Sequence, residues 1–277
     1  MSLRPPPPAA NRMRAPRTSY LTRVWRLARV AAHFTNAAGV AGLGYPFMSV
    51  ARRRLALQRW SAQFVRHLAA QLTIHGAPPL RDAAPFLLVA NHVSWLDIFA
   101  INAAVPTRFV AKSEVRRWPL VGWLCVKADT LFIERARPRD LARIDALIAD
   151  ALCGDGSDNS VSAAQSATSI GVFLEGSTSD GTQVMPFHSS LLRPAQRAGA
   201  AVIPVAIQYQ RRDGSICTEA AYDGDKSALD TLKLMLTQHE IHVHVHFLPP
   251  LVTQGVHRKV LARDAHAAIL RALNFPA

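Results

Sequence analysis

The feature that most constrains the fold is a regular alternation of strand-like and helical segments from about residue 70 onward. The strand-like runs are rich in β-branched and aromatic residues: QLTIHG, PFLLVANH, TRFVAK, TLFIER, SIGVFLEG, AAVIPVAIQY and IHVHVHFLPPL. Segments with helical periodicity separate most of them. Because parallel strands need crossover connections, this order predicts an α/β domain over residues 70–277, with a mostly parallel sheet flanked by helices.

The charge is divided unevenly along the chain. The formal net charge is +13, and residues 1–81 contain thirteen arginines, no lysine and no acidic residue. The remainder contains 19 basic and 19 acidic residues. A basic arm suits either nucleic acid or an anionic membrane surface. Because the neutral body offers no basic face or aromatic platform, we expect no nucleic-acid partner.

The arm divides into two parts. Residues 1–20 are rich in Pro and Arg, which predicts a disordered tail. Residues 21–69 are predicted to form a helical, membrane-associating region. Within it, residues 30–50 carry no formally charged side chain and could span a bilayer, but they include a histidine, an asparagine, three glycines and Pro46. An interfacial or re-entrant segment is therefore favoured over a span, with a buried helix as the third alternative.

The next segment, LALQRWSAQFVRHLAAQL, is amphipathic. One face carries apolar residues three or four positions apart: Leu57, Trp60, Phe64, Leu68 and Leu72. The pattern fits a helix that packs on the core or one that lies on a membrane. The adjacent uncharged stretch and arginine triplet favour the membrane, because bilayer binding combines apolar burial with charge neutralisation.

The cysteines and histidines give no sign of a metal site. Cys125, Cys153 and Cys217 are far apart and match no zinc or CxxC spacing, which indicates reduced thiols in a cytosol-facing protein. His242, His244 and His246 alternate along one strand and share a face, but no further ligands are suggested by spacing. We therefore expect no metal ion. We also expect the protein to bind the anionic surface of a membrane, on the cytoplasmic face of that membrane.

The stretch VANHVSWLDIF places a histidine and an aspartate five positions apart at the end of an apolar run. Asp97 could simply cap a helix together with Ser94. It could also orient His92 as a general base and stabilise the imidazolium. The segment FLEGSTSDG contains no G-x-S-x-G nucleophile. A His–Asp pair without a protein nucleophile suits direct attack by a substrate hydroxyl on an activated acyl group.

Five blocks of the chain together resemble a known enzyme family. They are ANHVSWLD, FVAKSEVRRWPLVGWL, TLFIER, VFLEGSTSDG with VMPFHSSL, and VIPVAI. Their order and spacing resemble those of the glycerolipid (lysophospholipid) acyltransferases, whose best-known activity is that of 1-acylglycerol-3-phosphate acyltransferase. The resemblance covers roughly residues 70–250. It implies the glycerol-phosphate acyltransferase-like fold and an O-acyltransferase of membrane lipid biosynthesis.

The resemblance also implies roles for single residues. His92 corresponds to the base that deprotonates the acceptor hydroxyl, and Asp97 to the group that orients it. Residues implied in acceptor binding are Lys112, Arg135, Glu175, Gly176 and Ser177. Alternatively, Glu175 and Gly176 could simply form the turn at the end of a strand. The donor would be an acyl thioester, on coenzyme A or acyl carrier protein, and neither a metal nor a bound cofactor is needed.

The third block departs from the family pattern Phe-Pro-Glu-Gly-Thr-Arg-Ser. Leu174 replaces the Pro, Ser177 the Thr and Thr178 the Arg. Loss of the Arg removes a bidentate phosphate partner, which disfavours a phosphate monoester most. The Ser-Thr-Ser-Asp-Gly form, with MPFHSSL, AYDGD and HVHFLPP, resembles the branch that acylates lyso-ornithine lipids. We expect such an acceptor, with lysophosphatidate as the alternative. A non-catalytic lipid-binding or membrane-remodelling protein on the same fold is the rival hypothesis.

Overall fold

The structure is a computed structural model that describes residues 17–80, 83–134, 138–153 and 168–276. Most of the tail predicted over residues 1–20 lies outside these ranges. Its last residues are ordered, because the Thr18 hydroxyl donates to the Leu236 carbonyl oxygen at 2.8 Å and Ser19 caps the first helix. The packed part of the chain therefore begins slightly earlier than the sequence indicated.

The described residues form a seven-stranded sheet with the order β1-β7-β6-β2-β5-β3-β4. The strands are β1 Ala70–His75, β2 Phe86–Ala90, β3 Arg108–Lys112, β4 Leu131–Ile133, β5 Ile170–Phe173, β6 Ala201–Gln210 and β7 Ile241–Phe247. All neighbours are parallel except β6 and β7. Every strand-like run of the sequence forms one of these strands, so the predicted mostly parallel α/β sheet is confirmed.

Helices cover both faces of the sheet, as predicted. In chain order they are α1 Tyr20–Gly39, α2 Val50–His67, α3 Leu96–Ala104, α4 Val121–Lys127, α5 Pro138–Cys153, α6 Arg193–Ala198, α7 Ala228–Thr237 and α8 Arg258–Ala272. Strand β2 is buried on both sides: Leu88 and Ala90 face a cluster that includes α2, α3 and α7, while Leu87 and Val89 face one that includes α5, α6 and α8. A strand without an exposed face explains the unbroken apolar run FLLVA.

The uncharged stretch at residues 30–50 is not one continuous α-helix. Helix α1 passes into a π-helical turn over Val40–Gly44 and a 3-10 turn over Tyr45–Phe47, and Ser49 then caps α2. Pro46 lies in the second turn, where its missing N–H would interrupt a regular helix. Within the described ranges, no helix combines the length and the hydropathy required to cross a membrane.

The apolar face of α2 packs on the protein, which corrects the membrane-surface interpretation of this helix. Phe64 and Val65 are fully buried, and Phe64 meets Phe99 of α3 with ring centroids 4.7 Å apart. Leu72, which continued the apolar spacing, belongs to β1. Periodicity alone could not decide this point, because a core and a bilayer select the same amphipathic pattern.

Candidate active site

The site lies at the carboxyl ends of the parallel strands β2 and β5, beside the middle of β6. Asn91, the first residue after β2, is buried and forms hydrogen bonds to β6, the neighbouring strand in the sheet. Its amide nitrogen donates to the Ile207 carbonyl oxygen at 2.9 Å, and its amide oxygen accepts from the Ile207 N–H at 2.8 Å. This double hydrogen bond fixes the chain to β6 immediately before His92, where open α/β sheets place their sites.

His92 and Asp97 are in direct contact. The Nδ1 atom of His92 lies 2.8 Å from Oδ2 of Asp97, which is fully buried in the first turn of α3. Because Nδ1 faces the carboxylate, Nε2 is the ring nitrogen left for a substrate. The His92 side chain is 19% exposed, so a molecule outside the protein can reach it. The roles assigned to these two residues stay predictions, but the geometry permits them.

Asp97 also stabilises the turn before α3. Its Oδ2 accepts from the N–H groups of Val93 at 2.8 Å and Ser94 at 3.0 Å. The Ser94 hydroxyl instead accepts from Leu96 N–H at 3.3 Å, so the complete capping box suggested by the sequence is not formed. One carboxylate thus both holds the helix start and contacts His92, so the two interpretations of the sequence are compatible.

Tyr209 is a site residue that the sequence did not reveal. Its hydroxyl, fully buried in β6, donates to Oδ1 of Asp97 at 2.5 Å. Burial and the adjacent Asp97 carboxylate raise the pKa of Tyr209 well above its ordinary value, so the phenol stays protonated as a donor. The signal that could have identified it was its position in β6, where Tyr209 shares the period-two face of buried apolar residues, since a buried Tyr hydroxyl needs a partner.

Glu175 contacts the backbone of the His92 turn. Its Oε1 accepts from the His92 N–H at 2.7 Å, and its Oε2 accepts from the Met185 N–H at 3.0 Å. Burial raises the pKa of Glu175 to about 7, although both hydrogen bonds act in the opposite direction. Gly176 follows at φ +80°, a conformation that glycine adopts without strain. These contacts fit the strand-ending turn, and the acceptor-binding role stays a prediction.

An aromatic stack fixes the plane of the imidazole. The His92 ring lies on Phe173 with centroids 3.8 Å apart and planes 9° apart, and Phe173 in turn stacks on Phe109 at 5.6 Å. Gly171 makes room for this stack, because a β-carbon there would lie 2.5 Å from Phe109. The stack was not apparent from the sequence, since its three rings come from three separate strand regions.

The loop that departs from the family pattern wraps around the same turn. Ser179 N–H donates to the His92 carbonyl oxygen at 2.9 Å, and Tyr222 N–H donates to that of Val93 at 2.9 Å. The Thr178 hydroxyl donates to the Tyr222 carbonyl oxygen. Ser177 is exposed. Thr178 therefore ties two loops together at the position where the family pattern has a phosphate-binding Arg.

Two of the implied acceptor-binding residues lie apart from this cluster. Lys112 is exposed at the end of β3, a neighbour of β5 in the sheet. Arg135 lies outside the described residues. In the part of the chain that the structure describes, no group of three His, Cys, Asp or Glu side chains could hold a metal ion. His92, Asp97, Tyr209 and Glu175 are thus the titratable groups that the fold brings together.

Comparison with known proteins identifies the family. A family model described as acyltransferase matches residues 71–208. Lyso-ornithine lipid O-acyltransferase of Pseudomonas aeruginosa is 38% identical over 222 residues, which cover 80% of this chain and 79% of that protein. The chain belongs to the acyltransferase family. The resemblance inferred from the sequence blocks is confirmed, and so is the prediction that the protein is an enzyme.

Other relatives of this acyltransferase carry two different names. Lyso-ornithine lipid O-acyltransferase of Brucella abortus is 37% identical, covering 66% of this chain and 69% of that protein. 1-acyl-sn-glycerol-3-phosphate acyltransferase of Neisseria meningitidis serogroup B is 32% identical, covering 76% and 77%. The crystal structure of the 1-acyl-sn-glycerophosphate (LPA) acyltransferase from Thermotoga maritima matches with a TM-score of 0.62 at 21% identity, covering 91% of this chain and 96% of that one. This structural match confirms the fold.

Proposed function

We propose that this acyltransferase moves a fatty acyl group from an acyl thioester to the hydroxyl of a lysolipid, with His92 as general base. The carrying observation is the 2.8 Å contact between His92 Nδ1 and the buried Asp97, which leaves Nε2 of a partly exposed ring for the acceptor. A general base must lie within hydrogen-bonding reach of the proton that it removes, and an oriented, partly exposed imidazole at the carboxyl end of β2 can meet this requirement.

The proposed reaction is a direct transfer. Nε2 of His92 takes the proton of the acceptor hydroxyl while the hydroxyl oxygen attacks the thioester carbonyl carbon. The tetrahedral intermediate then collapses, the carbon–sulfur bond breaks, and the leaving thiolate takes the proton back from the imidazolium. Asp97 stabilises the positive charge that His92 carries between these steps. The products are the diacylated lipid and the free thiol of coenzyme A or acyl carrier protein, and no metal or other cofactor takes part.

Glu175 and Tyr209 both support this base. Glu175 holds the His92 backbone, and Tyr209 holds Oδ1 of Asp97, the carboxylate oxygen that does not contact His92. Together with the stack on Phe173, these contacts fix the imidazole in position before a substrate arrives. Such preorganisation favours the transition state, because no reorientation is required during the reaction.

The preferred acceptor is proposed to be lyso-ornithine lipid, with lysophosphatidate as the alternative. Thr178 uses its hydroxyl to bond the Tyr222 carbonyl oxygen, so it supplies no cation for a phosphate monoester. The relatives from P. aeruginosa and B. abortus, which are named for the lyso-ornithine lipid, support this acceptor. The neisserial relative supports the alternative.

The test is acyl transfer by the purified protein to a panel of acceptors. The panel contains lyso-ornithine lipid, lysophosphatidate and a lysophosphodiester, each with acyl-coenzyme A and with acyl carrier protein as donor. We expect transfer, with the highest kcat/KM on lyso-ornithine lipid. Transfer to no acceptor from either donor would contradict the proposal and favour the non-catalytic lipid-binding alternative.

Thr178→Arg tests the basis of the acceptor preference. Restoring the guanidinium should raise kcat/KM for lysophosphatidate relative to lyso-ornithine lipid by about tenfold or more, because a charge-assisted, bidentate phosphate contact contributes at least about 1.4 kcal/mol. Thr178→Lys is the matched control, since it adds the charge without the bidentate geometry and should give a smaller change. An unchanged ratio in the Arg variant, with normal thermal stability, would contradict the role assigned to position 178.

We also propose that the enzyme works at the cytoplasmic face of a membrane, held by its arm. Helix α1 exposes Tyr20, Leu21 and Trp25, and Leu43 and Phe47 are exposed in the turns that follow. The arginines of the arm lie close by in sequence and match an anionic surface. A lysolipid acceptor is itself a membrane component, so interfacial attachment brings enzyme and substrate together.

A further inference from the structure

The catalytic domain has an apolar surface of its own on and before α4. Four large side chains in this short region are each exposed by about two-fifths: Trp118, Leu120, Trp123 and Val126. Exposed apolar residues scattered singly are ordinary, but four large ones within nine positions, two of them tryptophans, form a local concentration of exposed apolar surface. Neither the sheet nor the active site accounts for these exposed side chains.

The backbone before α4 is strained in a way that fixes Leu120 on the surface. Leu120 has φ +59° and ψ −54°, and the following Val121 N–H donates to the Pro119 carbonyl oxygen at 2.6 Å. This is a γ-turn with positive φ, which is unfavourable for a branched side chain. Gly122 then packs against the Arg116 carbonyl oxygen so closely that a β-carbon would lie 2.3 Å from it. The turn is therefore rigid, and strain of this kind occurs mainly at functional positions.

This patch is continuous with the arm. The Trp123 indole lies 3.6 Å from the position that a β-carbon would take at Gly42, in the π-helical turn between α1 and α2. The neighbouring arm residues Leu43 and Phe47 are 79% and 87% exposed. We call the combined surface the α4 face, and it consists of Leu43, Phe47, Trp118, Leu120, Trp123 and Val126.

Cations border the α4 face. The Lys127 ammonium lies 5.6 Å from the centre of the Trp123 ring, and the Arg53 guanidinium lies 5.7 Å from that of Tyr45. Between these two pairs is a cleft of about 290 Å³, lined by Tyr45, Pro46, Arg53, Val126, Lys127 and Asp129. Aromatic rings with apolar neighbours and adjacent cations are the side chains that proteins place at the headgroup level of a bilayer.

We propose that the α4 face is a docking surface for an anionic phospholipid bilayer, through which the catalytic domain itself contacts the membrane. This extends the interfacial attachment proposed above, which relied on the arm alone. The rigid Leu120 turn and Val126 enter the apolar region of the bilayer, while the Lys127 ammonium meets lipid phosphates. A bilayer is favoured over a protein partner because the aromatic residues and the cations occur in adjacent pairs, matching the headgroup boundary.

The test is binding of the full-length protein to vesicles, measured by co-sedimentation on phosphatidylglycerol and on phosphatidylcholine. Leu120→Asp and Val126→Asp should each raise the apparent Kd on phosphatidylglycerol by at least about tenfold, because a charge replaces apolar surface at the lipid boundary. The matched controls are Leu229→Asp and Val252→Asp, which change residues that are 65% and 72% exposed elsewhere and should bind as the wild type does.

Leu120→Gly provides a check that does not add a charge. Glycine tolerates positive φ, so this variant should unfold at a higher temperature than the wild type and yet bind vesicles more weakly. Wild-type binding by Leu120→Gly, or by the folded Asp variants, would overturn the proposal, as would failure of the wild type to bind phosphatidylglycerol vesicles. The measurement needs no acyl transfer, so its failure is distinct from failure of the proposed reaction.

Discussion

At the scale of single residues, the site depends on the hydrogen-bond donors that surround the buried carboxylate of Asp97. Asp97 accepts hydrogen bonds from His92 Nδ1, from the Val93 and Ser94 N–H groups and from the Tyr209 hydroxyl. A buried charge is tolerated only when such partners replace water. The same four donors fix its orientation, so the histidine is held by a group that cannot turn away.

Tyr209→Phe tests this arrangement. Loss of the hydroxyl leaves Oδ1 of Asp97 without its donor, so we expect the free energy of unfolding to fall by about 1–3 kcal/mol and kcat by about ten- to a hundredfold, with little change in KM. Steady-state kinetics and thermal unfolding of the variant and the wild type measure these two changes.

The matched control for that variant is Tyr20→Phe, which removes a hydroxyl from an exposed residue of α1. It should leave kcat and stability unchanged. A purely structural role for Tyr209 would lower stability without lowering kcat of the folded enzyme, and that result would contradict the positioning role.

At the scale of elements, Glu175 joins the ends of β2 and β5 through the His92 and Met185 N–H groups. Burial raises its folded-state pKa to about 7, above the ordinary value of 4.5. A raised carboxyl pKa means that the protonated form is favoured by folding. The resulting stability is fully present below pH 4.5 and is lost as the pH rises through 7.

Glu175→Gln should remove this dependence, because glutamine does not titrate. Thermal unfolding measured from pH 4.5 to 8 should show the wild type losing stability relative to the variant, on the order of 2 kcal/mol across the range. The variant minus wild-type difference cancels the other titrating groups. A difference that stays constant with pH would show that the Glu175 carboxyl is not shifted in this way.

The positions of the strands could be predicted from the sequence. Whether the apolar face of a helix packs on the protein core or on a membrane could not. Runs such as FLLVA and SIGVF have no polar side to place in water, so their strand character follows from composition. The α2 helix had an apolar face that suited the core and the bilayer equally. Tyr209 and Phe173 were missed because their contacts with Asp97 and His92 depend on which strands become neighbours in the sheet.

At the scale of the whole molecule, part of the excess positive charge is used for contacts within the protein. Arg26 of α1 donates to the Gln238 carbonyl oxygen at 2.6 Å and to that of His239 at 3.1 Å, just beyond the end of α7. Arg23 donates to the Thr18 carbonyl oxygen at 2.6 Å. Arg26 therefore fastens the arm to the catalytic domain, while Arg23 bonds within the arm. The composition showed the charge but could not show which arginines make contacts within the protein.

One folded structure therefore carries the proposed base His92, the residues that hold it in position, and the α4 face. Residues 92–97 close the end of β2, β6 supplies Tyr209, and β5 supplies Phe173 before the turn at Glu175. Contacts between these elements explain why short, separate sequence blocks mark the site. Three of the blocks supply parts of the site: ANHVSWLD begins at the last residue of β2, VFLEGSTSDG includes the end of β5, and VIPVAI lies within β6.

The most direct test of the central claim is acyl transfer by His92→Ala, with the acceptor and donor that the wild type prefers. If His92 is the general base, kcat should fall by at least about a thousandfold, while thermal unfolding and vesicle binding stay close to those of the wild type. His239→Ala, which removes an exposed imidazole outside the sequence blocks, is the matched control and should keep wild-type kcat. A His92→Ala enzyme that retains a substantial fraction of wild-type kcat would contradict the assignment of His92 as the base.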